Sequence, residues 1–474
     1  MKKYIFIGFT LIFMFSCDAL DENPQAIAVE TFYNTPDEIE SGVNAIYPPL
    51  RENYSPNYAI LQEASSDIVY GCIGSWSGSS QYDGFDSRNI TRASSCWDDF
   101  YKAIRNANIM VEAIPKAKES TEDEKSLYLG EAKYLRALSY FHLVVNWGAV
   151  PLRTEENRLE YNLPRTPESD VFNLIIADLE YAETSLPSTV SVAGHPTKWS
   201  AKMLLADVNF YLNKYDKAAE LTKEIIDSHK YSLVEIKTTD DFEKIYGAEV
   251  VNTPEEIFYF KYNEQSGTSI PICYHGGAIA GKYIRVGGYN LVINKDYYCE
   301  YANQNDKDLR KGLWYSYSAG LVGEHGLLLK KYNDVTGVNP RNSFPLYRYA
   351  DCLLMYAEAS CRVQGAPTTD GLEALNIVHR RAYGYTSTQP SSVDFQLGDY
   401  NKDSFIALCI EERGYETVGE SKRWIDLKRL GKTEAAKYIK MHRGLELKDK
   451  QWLWPIPVSE LNFNEAISDQ NPGY

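Results

Sequence analysis

Apolar residues recur along this chain at spacings of three and four, the period of amphipathic helices packed on a core. Thr35-Pro36-Asp37-Glu38 reads as a capping box with proline at the first helical position, and Ile39, Val43 and Ile46 then fall on one face. A second helix is expected from about Asp98 to Ile114. Thr121-Glu122-Asp123-Glu124 opens a long one through Leu127, Ala132, Leu135, Leu138, His142 and Val145, ending at Trp147-Gly148. Thr166-Pro167 opens another, with Val171, Phe172, Ile175, Ile176 and Leu179 in register.

Between Trp199 and Ile226 the pattern becomes more specific. Ala201, Leu204, Leu205, Val208 and Leu212 mark one helix, Asn213-Lys214-Tyr215-Asp216 a turn, and Ala218, Ala219, Thr222, Ile225 and Ile226 a second helix. Small residues facing each other across a tight turn form a degenerate tetratricopeptide unit, which must stack on neighbours to bury its face. Similar pairs follow: Arg348 to Arg362 with Leu372 to Arg381, and Ser404 to Tyr415 with Lys422 to Leu430. The predicted fold is mainly α: tetratricopeptide-like helix pairs in a right-handed superhelical scaffold, with long irregular loops and a few short strands.

Two stretches break the helical pattern. Residues 53–95 are rich in Ser, Gly, Tyr and Asp, and residues 263–345 carry scattered glycines with interleaved aromatics. Long loops on a rigid frame concentrate binding residues.

The N-terminus is patterned differently. Lys2 and Lys3 precede an apolar run from Tyr4 to Phe15, which ends in Met14-Phe15-Ser16-Cys17. The run is too short to span a bilayer, and a small residue before cysteine resembles a lipoprotein cleavage site. The expectation is a signal peptide at 1–16, lipidation at Cys17, an acidic tether at 17–30 and one folded domain at 31–474.

Charge narrows the partners. The net charge of −16 repels phosphate backbones, so nucleic acid is excluded as a partner. Seven histidines are scattered without ligand spacing, and no CxxC or HExxH occurs, so neither metal nor cofactor is expected. Phosphate-binding loops and nucleophile elbows are missing as well. Glu411-Glu412, beside Arg413, Arg423 and Arg429, reads as helix-surface or interhelical ion pairing rather than as a hydrolytic carboxylate pair. Of the eight cysteines, Cys352, Cys361 and Cys409 sit among aliphatics and read as buried small hydrophobes.

The 37 tyrosines and 8 tryptophans redirect attention to binding. Flat rings stack on the C–H face of a sugar, while Asn, Asp, Arg and Gln answer its hydroxyls. That mixture occurs at Tyr70, Trp76, Gln81, Tyr82, Asp83, Phe85, Asp86, Arg88 and Asn89. It recurs at Tyr274, His275, Tyr283, Arg285, Tyr289 and Asn290, and at Trp314, Tyr315 and Tyr317. The candidate ligand-binding residues are Trp76, Tyr82, Arg88, Tyr274, Tyr283, Tyr289 and Trp314.

Several motifs together resemble the SusD/RagB family of Bacteroidetes outer-membrane lipoproteins. They are Cys17-Asp18 with Asn23-Pro24, Glu131 to Ala137 running on to Trp147-Gly148-Ala149-Val150-Pro151-Leu152, and Arg348-Tyr349-Ala350-Asp351 through Glu358-Ala359. Glu411-Glu412-Arg413 with Arg423-Trp424-Ile425-Asp426, then Trp454-Pro455-Ile456-Pro457 and Gln470-Asn471-Pro472-Gly473-Tyr474, complete the resemblance. One departure is Tyr383, where the family usually has glycine. The resemblance implies a non-catalytic binding protein on the extracellular face of the outer membrane, anchored by lipid, that captures glycan and delivers it to a TonB-dependent SusC-like barrel. Capture of peptide, or an adaptor role for a concave repeat surface, are the alternatives. The family signatures carry no ligand contacts, so the candidate residues rest on loop chemistry alone.

Overall fold

The computed structural model describes residues 32–71, 76–275, 282–283, 291–294, 304–317, 326–336 and 339–474. Helix α1 (Pro36–Asn44) begins as the sequence predicts: the Thr35 side chain accepts from the Glu38 N–H and the Glu38 carboxylate accepts from the Thr35 N–H. Helices α2 (Tyr47–Tyr54) and α3 (Asn57–Ala64) follow, and α4 (Ser87–Ala113) starts at Ser87 rather than near Asp98. The stretch 53–95 is therefore largely helical, which corrects its reading as irregular. Polar residues dilute the apolar period in the first turns of α4, yet Asp86 caps it by accepting from the Asn89 N–H, and Ala93, Cys96, Trp97 and Phe100 are buried.

Helix α5 (Glu122–Trp147) opens on the Thr121/Glu124 capping box and stops at Gly148, whose φ of 73° suits glycine. Then come α6 (Glu168–Ser185), α7 (Lys198–Tyr211), α8 (Tyr215–Asp227), α9 (Tyr349–Gln364), α10 (Thr369–Ala382), α11 (Lys402–Thr417), α12 (Arg423–Arg429) and α13 (Lys432–Arg443). From α4 to α9 each helix packs on the next, and α9 also takes α10 and α11. Close approach is possible because Ala201, Ala206, Ala218 and Ala357 lie fully buried in these helices. The stack runs on directly from α8 to α9: Cys352 of α9 donates its S–H to the Thr222 carbonyl of α8 at 3.4 Å, although the segment 228–348 separates them in the chain.

The strands are short: β1 (Tyr70–Gly71), β2 (Val150–Pro151), β3 (Arg165–Thr166), β4 (Glu256–Phe260), β5 (Leu291–Asn294), β6 (Trp314–Tyr317), β7 (Gly326–Leu329) and β8 (Phe344–Arg348). Antiparallel pairing gives a sheet in the order β1-β5-β7-β6 and the pairs β2-β3 and β4-β8. Because β4 pairs with β8, Glu256 facing Arg348, the long segment between α8 and α9 returns to the stack where it left.

Most buried apolar residues from Ile39 to Ile456 form one continuous core, and Tyr82, Trp424, Leu427, Ala435 and Ile439 form a smaller cluster of their own. At its centre the His142 ring lies between two phenols, Nδ1 2.7 Å from the Tyr58 hydroxyl and Nε2 2.5 Å from that of Tyr54. Burial lowers its pKa to about 3, so the ring is neutral. Trp454 packs on Trp147 at 4.8 Å between ring centroids, and the Trp147 indole N–H donates to the Pro455 carbonyl. The segment carrying Trp454 thereby closes the core.

Around α9 to α12 the buried charges pair, as expected for the glutamates and arginines there. Arg348 caps α9, its N–H donating to Asp351, while its guanidinium donates to Glu255, Glu416 and Glu420 at 3.1, 2.9 and 2.7 Å. Arg381 donates to Glu255 and Glu416, Arg413 to Asp426, and Arg429 to Glu358. Arg423 reaches out of this group to Asp67, beyond α3. Cys96, Cys352, Cys361 and Cys409 are buried free thiols, and Cys273 is buried as well. Among the described residues no helix is long and apolar enough to cross a membrane.

Candidate functional site

A cleft of about 460 Å³ lies where residues 239–250, Lys282–Tyr283, 330–336 and Arg341 meet, beside strand β6. Its size falls within the range of small-ligand sites, roughly 300–1,000 Å³. Tyr283 supplies the aromatic wall. Its ring lies 5.2 Å from that of Tyr315 on β6 and 5.7 Å from that of His275, and the latter two are near parallel at 18°. The Tyr283 carbonyl accepts from the Asp334 N–H at 2.8 Å, which fixes this short segment against the opposite wall.

His275 sets the chemistry beneath the ring. Its Nε2 is 2.7 Å from the Tyr332 carbonyl, which can only accept, so Nε2 carries the proton. Nδ1 is then an acceptor, and the Tyr315 hydroxyl donates to it at 3.3 Å. Burial lowers the pKa of this imidazole to about 4, so it stays neutral at neutral pH.

Polar groups complete the cleft. Asn333 donates its amide N–H to Glu243 at 3.0 Å, while its buried Oδ1 accepts from nothing in the described structure. A buried acceptor left unpaired costs roughly 1–3 kcal/mol. The buried Asp334 carboxylate accepts from the Arg341 and Thr336 N–H groups and from the Arg341 guanidinium, which also reaches Glu249. Two ammonium groups flank the Tyr283 ring, Lys282 at 5.0 Å and Lys330 at 5.8 Å from its centroid.

This wall is fastened to the buried charges of the frame. Lys331, two residues before Asn333, donates to the Glu420 carboxylate at 2.5 Å and to the Glu416 and Val418 carbonyls. The helix stack thus fixes the position of the cleft.

Of the described residues among those singled out in the sequence, Tyr283 alone lines this cleft. Trp314 is half-buried in β6, paired with Leu329, one residue before Tyr315. Arg88 is exposed in the first turn of α4, away from the cleft-lining residues. Three expectations of exposure are corrected. Trp76 is buried with the Arg92 guanidinium 3.4 Å above its ring. Tyr82 is fully buried at φ 57°; its hydroxyl donates to the Ser66 carbonyl and its carbonyl accepts from the Lys448 N–H. Tyr274 is buried against Gly419 in the main core. For Trp76 and Tyr82 the reason is shared: α3 and the early start of α4 leave a short connection whose rings pin it to the body, whereas Tyr274 ends the short helix Ile270–Tyr274, which packs on α3. Tyr289 and Cys17 lie outside the described residues. The sequence reading overlooked Asn333, Asp334 and Arg341, although Lys330-Lys331-Tyr332-Asn333-Asp334 has the same aromatic and polar mixture as the stretches it chose.

Comparison with known proteins identifies the chain. The family model described as SusD family matches residues 256–474, and one described as starch-binding associating with outer membrane matches residues 18–212. The chain belongs to the SusD family. SusD-like protein P2 of Formosa agariphila is 26% identical with all of both chains covered. A SusD-like protein of Bacteroides ovatus is 25% identical over 90% of this chain and 82% of its own. Among solved structures, a SusD homolog from Bacteroides thetaiotaomicron superposes with a TM-score of 0.78 at 20% identity, covering 94% of this chain and 98% of that one. A laminarin-binding SusD-like protein gives 0.76 at 24% identity, covering 93% and 100%. The surface glycan-binding protein A of Bacteroides thetaiotaomicron gives 0.76 at 21% identity, also covering 93% and 100%. These likenesses establish the SusD fold.

Proposed function

We propose that this SusD-family chain binds oligosaccharide in the cleft beside Tyr283 and delivers it, without chemistry of its own, to a TonB-dependent SusC-like barrel in the outer membrane. The observation that carries the reading is the Tyr283 ring lining one cleft with the polar side chains of Glu249, Asn333 and Arg341. A sugar presents an apolar ring face and hydroxyls together, and the ring and these polar side chains answer both. Two structural neighbours are named for laminarin and glycan binding, and one matching family model for starch binding and outer-membrane association. Lipidation at Cys17, with 17–30 as the tether and 31–474 as one domain, belongs to the same proposal and puts the cleft at the cell surface.

Isothermal calorimetry against a panel of polysaccharides and oligosaccharides tests the site. Tyr283→Ala and Asn333→Ala should each weaken the best ligand about ten-fold, equivalent to about 1.4 kcal/mol. Wild-type affinity in both variants would remove the cleft from the reading. Mass spectrometry of ligand co-purified from the native membrane separates the classes, since recovered peptide would replace glycan as cargo.

A further inference from the structure

A second groove, which shares no lining residue with the cleft beside Tyr283, runs along the loop between α6 and α7. It has two lobes, of about 270 and 290 Å³, joined along Ala193, Gly194, His195 and Tyr259. Gly194 permits the join: its φ is 97°, and a β-carbon there would stand 3.0 Å from Lys261 Cγ. Short polar side chains, Ser188, Thr189, Ser191 and Asn252, line the larger lobe with the rings of Tyr231 and Tyr259, and Lys230 and Glu256 offset each other in charge there. The smaller lobe is one-sided. Among the described residues that line it, Arg51, His195 and Lys261 are basic and none is acidic, in a chain of net charge −16.

Packing orients these basic groups. Glu131 of α5 is buried, and its Oε1 accepts from the Tyr47 hydroxyl of α2 and lies 2.7 Å from His195 Nδ1. A carboxylate oxygen can only accept, so Nδ1 carries the ring proton, and Nε2 is the edge without a partner among the described residues. The Tyr47 and His195 rings meet edge to face at 5.7 Å. Arg51 stands one turn further along α2 on the Tyr47 face. Its guanidinium donates to the Ser266 carbonyl and hydroxyl at 3.3 and 2.7 Å, and among the described residues no carboxylate lies within ion-pair distance of it. Lys261 differs, since Glu256 and the Val251 carbonyl take its ammonium. Arg51 is therefore the cation of this lobe whose charge is unanswered. The hydrogen bond to Glu131 raises the His195 pKa above the usual histidine value, against burial, and Glu40 of α1 adds to it. Protonation turns Nε2 into a donor in the same lobe as Arg51.

We infer that this groove is a second binding site, which takes the carboxylate of an acidic oligosaccharide on Arg51 and His195 and its neighbouring sugar units along the Tyr231 lobe. The hydroxyl and amide side chains of that lobe favour sugar over an apolar acid, because they answer hydroxyls and leave apolar groups unanswered. The site stands independently of the cleft beside Tyr283 and of what that cleft binds.

Isothermal calorimetry on the full chain at pH 6 tests it with trigalacturonate, its uncharged methyl ester and the peptide acid acetyl-triglycine. Trigalacturonate should bind wild type and Tyr283→Ala equally, and the ester should bind about ten-fold more weakly. Arg51→Gln and His195→Gln should each weaken trigalacturonate about ten-fold and leave the ester unchanged. Arg51→Lys, which keeps the charge without the planar fork, should fall between. From pH 8 to pH 6 the sugar carboxylates stay ionised, so affinity should rise in Tyr283→Ala and stay flat in His195→Gln. Unchanged melting temperatures show that the variants are folded, and the comparison of acid with ester requires no variant. Equal affinity for acid and ester, or equal affinity of wild type and both glutamine variants for the acid, overturns the site. Loss of trigalacturonate binding in Tyr283→Ala would place the acid in the first cleft and overturn this groove, whereas failure of neutral glycans at the first cleft would leave the groove standing. Binding of acetyl-triglycine without trigalacturonate overturns the sugar and assigns the groove to a peptide end.

Discussion

Arg348 and Glu420 meet at 2.7 Å with neither side chain exposed, tying the residue that caps α9 to the turn between α11 and α12. Glu420 also receives Lys331, so the same carboxylate fastens the wall of the cleft. Burial alone opposes its ionisation, yet Arg348, Lys331 and Lys422 hold its pKa well below the usual carboxylate range.

Removing the Glu420 charge leaves Lys331 buried without its carboxylate, while Arg348 keeps only Glu255 and Glu416. Glu420→Gln should lower unfolding free energy by about 3–5 kcal/mol, measured by urea denaturation at pH 7. The change should also weaken ligand through Lys331, which a purely distant substitution would not do.

Acid should unfold the protein through the same residues. Burial works against ionising Glu412 and Glu416, but Arg310 with His379, and Arg381 with Arg348 and Arg310, override it and hold both pKa values at about 2. A depressed carboxylate stabilises the fold fully above its unfolded pKa of about 4.3, and that stability is lost as pH falls toward 2. Each carboxylate contributes on the order of 3 kcal/mol. Melting temperature should therefore change little in response to these groups from pH 8 to 5 and fall steeply below pH 4.

Ligand binding should follow a different titration. His275 is neutral above its pKa of about 4 and accepts from Tyr315. Protonation makes Nδ1 a donor and breaks that contact beneath the Tyr283 ring. Affinity measured by calorimetry should be flat from pH 5 to 8 and drop as pH approaches 4, at temperatures where circular dichroism shows the chain folded. Affinity that titrates near pH 6.5 would contradict this neutral His275.

Trp76→Ala should separate stability from binding. The ring is buried beneath Arg92, so truncation should cost about 3–5 kcal/mol of stability, as for other buried aromatics. Affinity at a temperature where the variant is folded should equal that of wild type, because the ring faces the body and not the cleft.

The helices were legible because their signals are local. Thr35 with Glu38 and Thr121 with Glu124 cap the helices the sequence assigns to them, and the alanines of α7 and α8 mark a close-packed pair. The start of α4 was not, since Ser, Thr and Arg in its first turns hide the apolar face that Ala93 and Trp97 complete. Loop aromatics were ambiguous for a physical reason: a tyrosine that pins a loop and one that greets a ligand have the same composition around them. Only the path of the chain separates Tyr82, turned inward at φ 57°, from Tyr283 on the cleft wall. Asn333 was missed because its place on the cleft wall is set by the path of the chain, which no spacing encodes.

The direct passage of the stack from α8 to α9, with β4 and β8 clasped at the exit, makes the intervening 228–348 segment a cassette. Natural selection can rewrite the tip of such a cassette, changing what is recognised, while the residues that seat it stay as they are. Grafting the corresponding segment of a relative between the same two helices is a direct route to altered ligand choice on an unaltered support.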